Sequence, residues 1–173
     1  IESLKSVKQI VKENEEQVIV VVSALGGITD QLITTAKLAA QGDKRHLESY
    51  ARIVERHNNV IENMVSVDKI DKLKTIVDPL LEELGNIYKG VSLIKDLSDR
   101  TLDIIVSYGE RLSSVIISYI IKGAHHYDSR NFIKTEKQFG KHILENDTTQ
   151  RYIHATFDNN TFAVIKLTGA DIK

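Results

Sequence analysis

The sequence has no cysteine and no tryptophan, and only one proline and one methionine in 173 residues. Without cysteine, disulfides, thiolate metal sites and cysteine nucleophiles are excluded, and nothing points to an oxidising compartment. Neither sign of charge dominates. Lys and Arg number 23 and Asp and Glu 24, a formal net charge of -1. So even a balance excludes a whole-domain electrostatic footprint for nucleic acid or for an anionic membrane. Long apolar runs are lacking too. The longest, Val18 to Val22, falls far short of the roughly 20 residues that a spanning helix needs. No secretory leader is visible. There is no Pro/Gly/Ser linker, no low-complexity tract and no repeat of fixed period. The length suits one domain or a substantial piece of a larger one. The first residue is Ile1, inside what already reads as a helix, so the chain is expected to be a fragment of something longer.

What is present is ordinary for a globular protein, with 42% apolar and 27% charged residues. The information lies in how the apolar pattern changes along the chain. Ile1, Leu4, Val7, Ile10 and Val11 recur at helical spacing, and polar residues from Asn14 to Gln17 end that helix. Val18 to Val22 is a short β-branched run, expected as a strand buried on both faces as in a parallel sheet. From Gln31 to Gly123 the pattern is almost wholly helical. Leu32, Ala36 and Ala39 mark one helix, ending near Gly42. Leu47, Tyr50, Ala51, Val54, Ile61 and Met64 mark a longer one, with Arg45, Glu48, Arg52, Glu55, Arg56 and Glu62 on its outer side. Ile70, Leu73, Val77, Leu80, Leu81, Leu84 and Tyr88 mark a third. Pro79 is expected either at its first position behind an Asp78 cap or at a kink, and Gly90 is expected to close it. Leu102, Ile105, Leu112, Ile116, Tyr119 and Ile120 mark a fourth, with Gly109 on its apolar face. Short strands are expected at Ala124 to Asp128, Phe132 to Thr135 and Phe162 to Leu167. A helix capped by Asp147 is expected from Thr148 to Phe157. Two α/β segments thus flank a four-helix excursion.

Two constellations could carry chemistry. Ser23-Ala24-Leu25-Gly26-Gly27-Ile28-Thr29-Asp30 follows the buried run and opens a helix. Amides at such a helix start are aligned with the dipole and attract anions. Gly26 and Gly27 let backbone approach a phosphate or carboxylate. Ser23 and Thr29 add hydroxyls. The alternative is a plain strand-to-helix loop with Thr29 as N-cap. The pattern is neither a Walker A loop nor a dinucleotide fingerprint. The second constellation is Ser107-Tyr108-Gly109-Glu110-Arg111. A partly buried Glu110 needs a partner, and a substrate ammonium group would be one. The alternative is an exposed Glu110 paired with Arg111 or with solvent. His125 and His126 on a strand point to opposite faces. His46, His57, His142 and His154 show no ligand spacing, so no structural metal is expected.

Together the two segments resemble aspartokinases. Val20 to Asp30 is similar to that family's Val-Val-Ser-Ala-x-x-Gly-x-Thr-Asp segment, and Ser107 to Ser113 to its Ser-x-Gly-Glu-x-x-Ser segment. Ser23 to Leu32 and the basic helix around Arg56-His57 most resemble the aspartokinase half of bifunctional aspartokinase/homoserine dehydrogenases. The resemblance runs from Ile1 to about Val164. It implies an α/β fold of amino-acid-kinase (carbamate-kinase-like) type. That is a three-layer α/β/α sandwich, truncated here, with a large helical segment between the first strand and the later ones. It implies residues 1–173 as the aspartate-binding portion of the catalytic domain, without regulatory or dehydrogenase domains. The reaction implied is transfer of the ATP γ-phosphoryl group to the β-carboxylate of L-aspartate, with Mg²⁺, as the first step toward threonine, lysine and methionine.

Carried over by residue, Ser23 is the catalytic group facing the transferring phosphates. Ala24, Gly26 and Gly27 form the anion loop, Thr29 contacts aspartate and Glu110 holds its α-ammonium. The parent would be cytoplasmic and homo-oligomeric, without nucleic-acid or membrane partners. The family's Lys-Phe-Gly-Gly-Thr-Ser strand, its Gly-Arg-Gly-Gly-Ser-Asp type segment and its nucleotide-binding half are not in the sequence. Lys166 to Lys173 does not match the expected continuation. This chain alone is therefore expected to be inactive and prone to associate. The rival reading is a non-catalytic helical interaction module that uses the Lys44 to Tyr88 helices as a partner surface.

Overall fold

The β-branched run after the first helix does form a strand, and it pairs in parallel. The computed structural model describes residues 2–14, 18–131 and 162–166. Chain order is α1 (Glu2–Glu13), β1 (Ile19–Val22), α2 (Ile28–Ala40), α3 (Arg45–Met64), α4 (Val67–Ile94), α5 (Asp99–Ile120), β2 (Ala124–Tyr127), a 3₁₀ turn (Ser129–Asn131) and β3 (Phe162–Lys166). The strands run in spatial order β1-β3-β2 with both pairings parallel. Ile19 stands opposite Ala163 and Ala124 opposite Phe162. Four helices therefore separate β1 from β2, as the apolar pattern predicts. The strand expected at Phe132 to Thr135, the helix at Thr148 to Phe157 with Asp147, the histidines His142 and His154, and the segment after Lys166 lie outside the described residues.

One face of β1 is covered and the other is not. Val11 of α1 and Ile117 and Ile121 at the end of α5 form a small apolar cluster, with Val18, Val20, Val22 and Ala124 packed against it. Ile19 and Val21 point the other way and are 48% and 47% exposed. Burial of this strand on both faces is thus corrected to burial on one. Among the described residues, no helix lies over its second face.

The main core is between helices. Leu32, Ala36 and Ala39 of α2, Ile53 and Ile61 of α3, Leu73, Val77 and Leu84 of α4, and Ile105, Leu112 and Ile116 of α5 are fully buried together. Two tyrosines tie the layer with polar tips. Tyr88 Oη donates to Leu32 O at 3.1 Å and Tyr50 Oη to Leu81 O at 2.6 Å. Their rings meet edge to face at 5.9 Å.

Three expectations about these helices are corrected. Pro79 is not at the first position of α4 but inside it, which leaves the alternative of a kink, and Gly90 also lies inside rather than closing the helix. Interior Gly and Pro cost about 1 and about 3 kcal/mol. Against this, α4 buries Leu73, Val77, Leu81, Leu84, Tyr88 and Val91, each contributing roughly 1.5–3 kcal/mol. Burial wins, and the exposed Pro79 leaves its freed carbonyl, on Thr75, at an exposed position. In α3 the buried face is His46, Ile53, His57, Val60 and Ile61, whereas Leu47 is 60% exposed. The helix is rotated from the expected face because two histidines count among its inward residues. Last, α2 begins at Ile28 with Gly27 as N-cap and no side-chain cap; Thr29 is already inside the helix. α5, by contrast, is capped by Ser98, whose hydroxyl accepts from Thr101 N at 3.2 Å.

Candidate functional site

In a parallel sheet the ends of the strands that lead into helices gather on one rim, and ligands bind there. The loop after β1 lies at that rim. Gly27 has φ 81 and ψ -6, a left-handed conformation that a β-carbon disfavours by roughly 1–2 kcal/mol. This turn aims the chain into α2. Ile28 N–H is taken by Leu25 O at 2.9 Å. The following first-turn amides of α2 lack intrahelical acceptors and face outward with the positive end of the helix dipole. Gly26 is exposed, and the space beside both glycines is open within 4 Å of where a β-carbon would stand. Ser23 is exposed, while Ala24 and Thr29 are half-buried.

On one flank this loop is clamped by α5. A β-carbon at Gly109 would lie 2.8 Å from the Ala24 β-carbon and 3.3 Å from Leu32 Cδ1. Only glycine lets the helix approach this closely. One turn on, Ser113 Oγ donates to Ser23 O at 2.7 Å. Glu110 lies between these two residues in sequence and is 4% exposed. Its carboxylate is thus inside the molecule, and the alternative of a solvated edge residue is corrected. Its neighbour Arg111 makes contacts of its own. Its guanidinium stacks 4.2 Å from the centre of the Tyr108 ring and meets Glu83 at 3.5 Å.

On the other flank lies a cleft of about 450 Å³ lined by Gly26, Gly27, Ile28, Gln31, Arg52, Glu55, Arg56 and Asn59. Ser23, Thr29 and Glu110 are not in its wall. The structure therefore seats Ser23 and Ala24 against Ser113 and Gly109 of α5, and sets Gly26 and Gly27 on the side of the cleft. Arg52 and Arg56, expected on the outer side of α3, are exposed there and line this cleft beside the loop. Their spacing of one helical turn was a signal, but only the packing of α2 on α3 says what they face. Arg52 also reaches Glu48 at 2.7 Å on the surface, as the spacing predicts.

A second, smaller cleft of about 200 Å³ lies where β2 ends, lined by residues that include Arg111, Ser114, His126, Asp128 and Arg130. Ser114 Oγ lies 3.0 Å from His126 Nε2. Asp128 takes the Arg130 guanidinium through both oxygens, at 2.9 Å from Nε, and this pairing holds the guanidinium's pKa up. Its charges largely neutralise one another, which suits a structural clasp. The sequence reading did not find it, because Ser114 and His126 sit on different elements.

His57 is fully buried. Its Nδ1 lies 2.8 Å from Ile53 O and Nε2 has no hydrogen-bond partner. Burial pushes its pKa below the ordinary histidine value.

No family model matches the chain. Chloroplastic aspartokinase 2 of Arabidopsis thaliana is 30% identical over 138 residues, 76% of this chain and 25% of that protein. A chloroplastic bifunctional aspartokinase/homoserine dehydrogenase 2 of the same plant is 21% identical over 113 residues, 65% of this chain and 12% of that protein. Among solved structures, E. coli aspartokinase III in complex with aspartate and ADP superposes with a TM-score of 0.80 at 18% identity, covering 97% of this chain and 38% of that one. The fold is thus of the α/β type seen in that enzyme. The homologues of this chain are aspartokinases and bifunctional aspartokinase/homoserine dehydrogenases. It spans about a quarter of the length of the aspartokinases it matches.

Proposed function

We propose that residues 1–173 are the aspartate-binding portion of an aspartate kinase, built as part of a three-layer amino-acid-kinase sandwich. The observation that carries this reading is the joint at α5, where Gly109 and Ser113, the helical residues on either side of buried Glu110 in sequence, seat the Ser23 to Asp30 loop. A cation-binding acid and an anion-binding helix start then share one corner, as a substrate with an ammonium group and two carboxylates requires. The neighbouring E. coli structures are described as complexes with aspartate, which supports the same assignment.

In this reading Glu110 accepts hydrogen bonds from the α-ammonium of L-aspartate. Thr29 donates to the β-carboxylate and orients it. One β-carboxylate oxygen attacks the γ-phosphorus of ATP, the bond from that phosphorus to the β,γ-bridging oxygen breaks, and ADP leaves. Ser23 and the amides around Gly26 and Gly27 face the charge on the transferring group. Such transfer is mainly positioning and charge stabilisation. Arg52 and Arg56 add positive potential at the mouth. Mg²⁺ would come with the ATP phosphates, as it commonly does in phosphoryl transfer.

Kinase activity is proposed for the larger enzyme, and the 173 residues alone are expected not to turn over. A cytoplasmic, homo-oligomeric parent is part of the proposal, though the plant relatives are named as chloroplastic. Among the described residues no helix is long and apolar enough to cross a membrane. The rival interaction module finds less support. The apolar residues of α3 and α4 are mostly buried against α2 and α5. The reaction is tested by trapping aspartyl phosphate with hydroxylamine from ATP and L-aspartate. Hydroxamate formed by the enzyme carrying this chain supports the proposal. Its absence with L-aspartate, or turnover by 1–173 alone, contradicts the assignment of roles.

A further inference from the structure

We infer that Ser113 and Gly109 are positioning residues that set the span between Glu110 and the Ser23 to Asp30 loop, and so the length of amino diacid accepted. The inference rests on the proposed aspartate-binding role of Glu110. Three observations carry it. Ser113 is fully buried, and its hydroxyl donates to Ser23 O at 2.7 Å across 90 positions of sequence. A buried helical serine ordinarily turns back onto its own helix; the contact to Glu110 O, at 3.2 Å, is the longer one here. Gly109, one turn earlier, meets Ala24 so closely that a β-carbon would lie at 2.8 Å. On the open side nothing lies within 4 Å of a β-carbon built at Gly26 or Gly27.

The loop is therefore referenced to α5 at two adjacent points, Ser23 and Ala24, and Glu110 lies between the two helical residues that make those points. Any shift at Gly109 or Ser113 changes the distance from the acid to the loop directly. One methylene separates aspartate from glutamate. A site that grips both ends of the substrate discriminates by that span.

The test is steady-state kinetics of the complete enzyme with aspartate, glutamate and ATP each varied, on Ser113→Ala, Gly109→Ala and the double variant Gly109→Ala/Ala24→Gly, with Glu110→Gln alongside. Ser113→Ala is expected to raise the aspartate KM about tenfold, the scale of one lost hydrogen bond, with the ATP KM unchanged. Gly109→Ala is expected to do more and to lower the ratio of aspartate to glutamate kcat/KM. Removing the Ala24 β-carbon in the double variant is expected to recover most of that loss, a coupling that only neighbours give. If Ser113→Ala and Gly109→Ala lower the melting temperature but leave the aspartate KM and the substrate ratio unchanged, the inference is overturned while Glu110 keeps its role. If Glu110→Gln also leaves the aspartate KM unchanged, the underlying reading has failed instead.

Discussion

The Ser23 to Asp30 loop has two unlike neighbours. Toward α5 it meets a close and largely buried surface, made by Gly109, Ser113 and Glu110. Toward α3 it meets an open cleft bearing Arg52, Glu55, Arg56 and Asn59, all exposed. The first surface has fixed geometry, since side chains packed at crystal-like density cannot yield without strain. The second has charge without fixed geometry, and water and salt reach it. A buried contact decides where a ligand's groups must sit. An exposed arginine pair decides how strongly an anion is drawn in, over a Debye length of about 8 Å at physiological salt. The proposed chemistry uses both, and the division can be broken experimentally.

Among changes within the loop, the largest effect is expected from Ser23→Ala. In the proposed role Ser23 is a donor aimed at developing charge; losing such a donor costs on the order of a hundredfold in turnover, so kcat is expected to fall while the aspartate KM changes little. Rapid-quench measurement of phosphoryl transfer checks this. Thr29→Val keeps shape but removes the hydroxyl proposed to contact the substrate carboxylate. About tenfold is expected, shared between kcat and aspartate affinity. If both variants turn over normally, the loop is only a helix start. On the α3 flank, Arg56→Ala is expected to weaken substrate capture only a few-fold at low salt, with the difference vanishing near 0.5 M salt, because exposed charges are screened. A salt-independent loss there would move Arg56 into the fixed part of the site and dissolve the contrast between the flanks.

Much of the architecture is legible in the sequence because it is local. The run at Val18 to Val22, the four apolar stripes and the strand at Ala124 are set by periodicity within a dozen residues. What is not legible is non-local. Nothing in the spacing of Ser113 says that its hydroxyl will meet Ser23, and nothing in Gly109 says that Ala24 will lie over it. Position on the apolar face shows that a close approach is permitted, not what approaches. The covered face of β1 is likewise set by α1 and α5 together. Pro79 and Gly90 mislead for the same reason, since long-range burial of α4 outweighs their local cost. The inward face of α3 is not legible from its apolar residues because it includes His46 and His57.

His57 offers the smallest and most general check. Its pKa is pushed down by burial, so the folded state prefers the neutral ring. Its contribution is fully present above the ordinary histidine pKa of about 6.5. It is lost as pH falls from there through the lowered folded value, because the unfolded chain takes up the proton first. The urea midpoint is expected to drop between pH 7 and pH 5, and less steeply in His57→Leu. An unchanged slope in that variant would assign the acid sensitivity to other groups.

The central claim is that Glu110 binds the ammonium group of L-aspartate. It is tested most directly by Glu110→Gln in the complete enzyme, with L-aspartate and ATP varied separately. Loss of a charged partner in a desolvated site costs about 2–5 kcal/mol. The account predicts an aspartate KM raised roughly thirtyfold or more on that scale, with the ATP KM unchanged. An aspartate KM and kcat equal to those of the unmodified enzyme would contradict it.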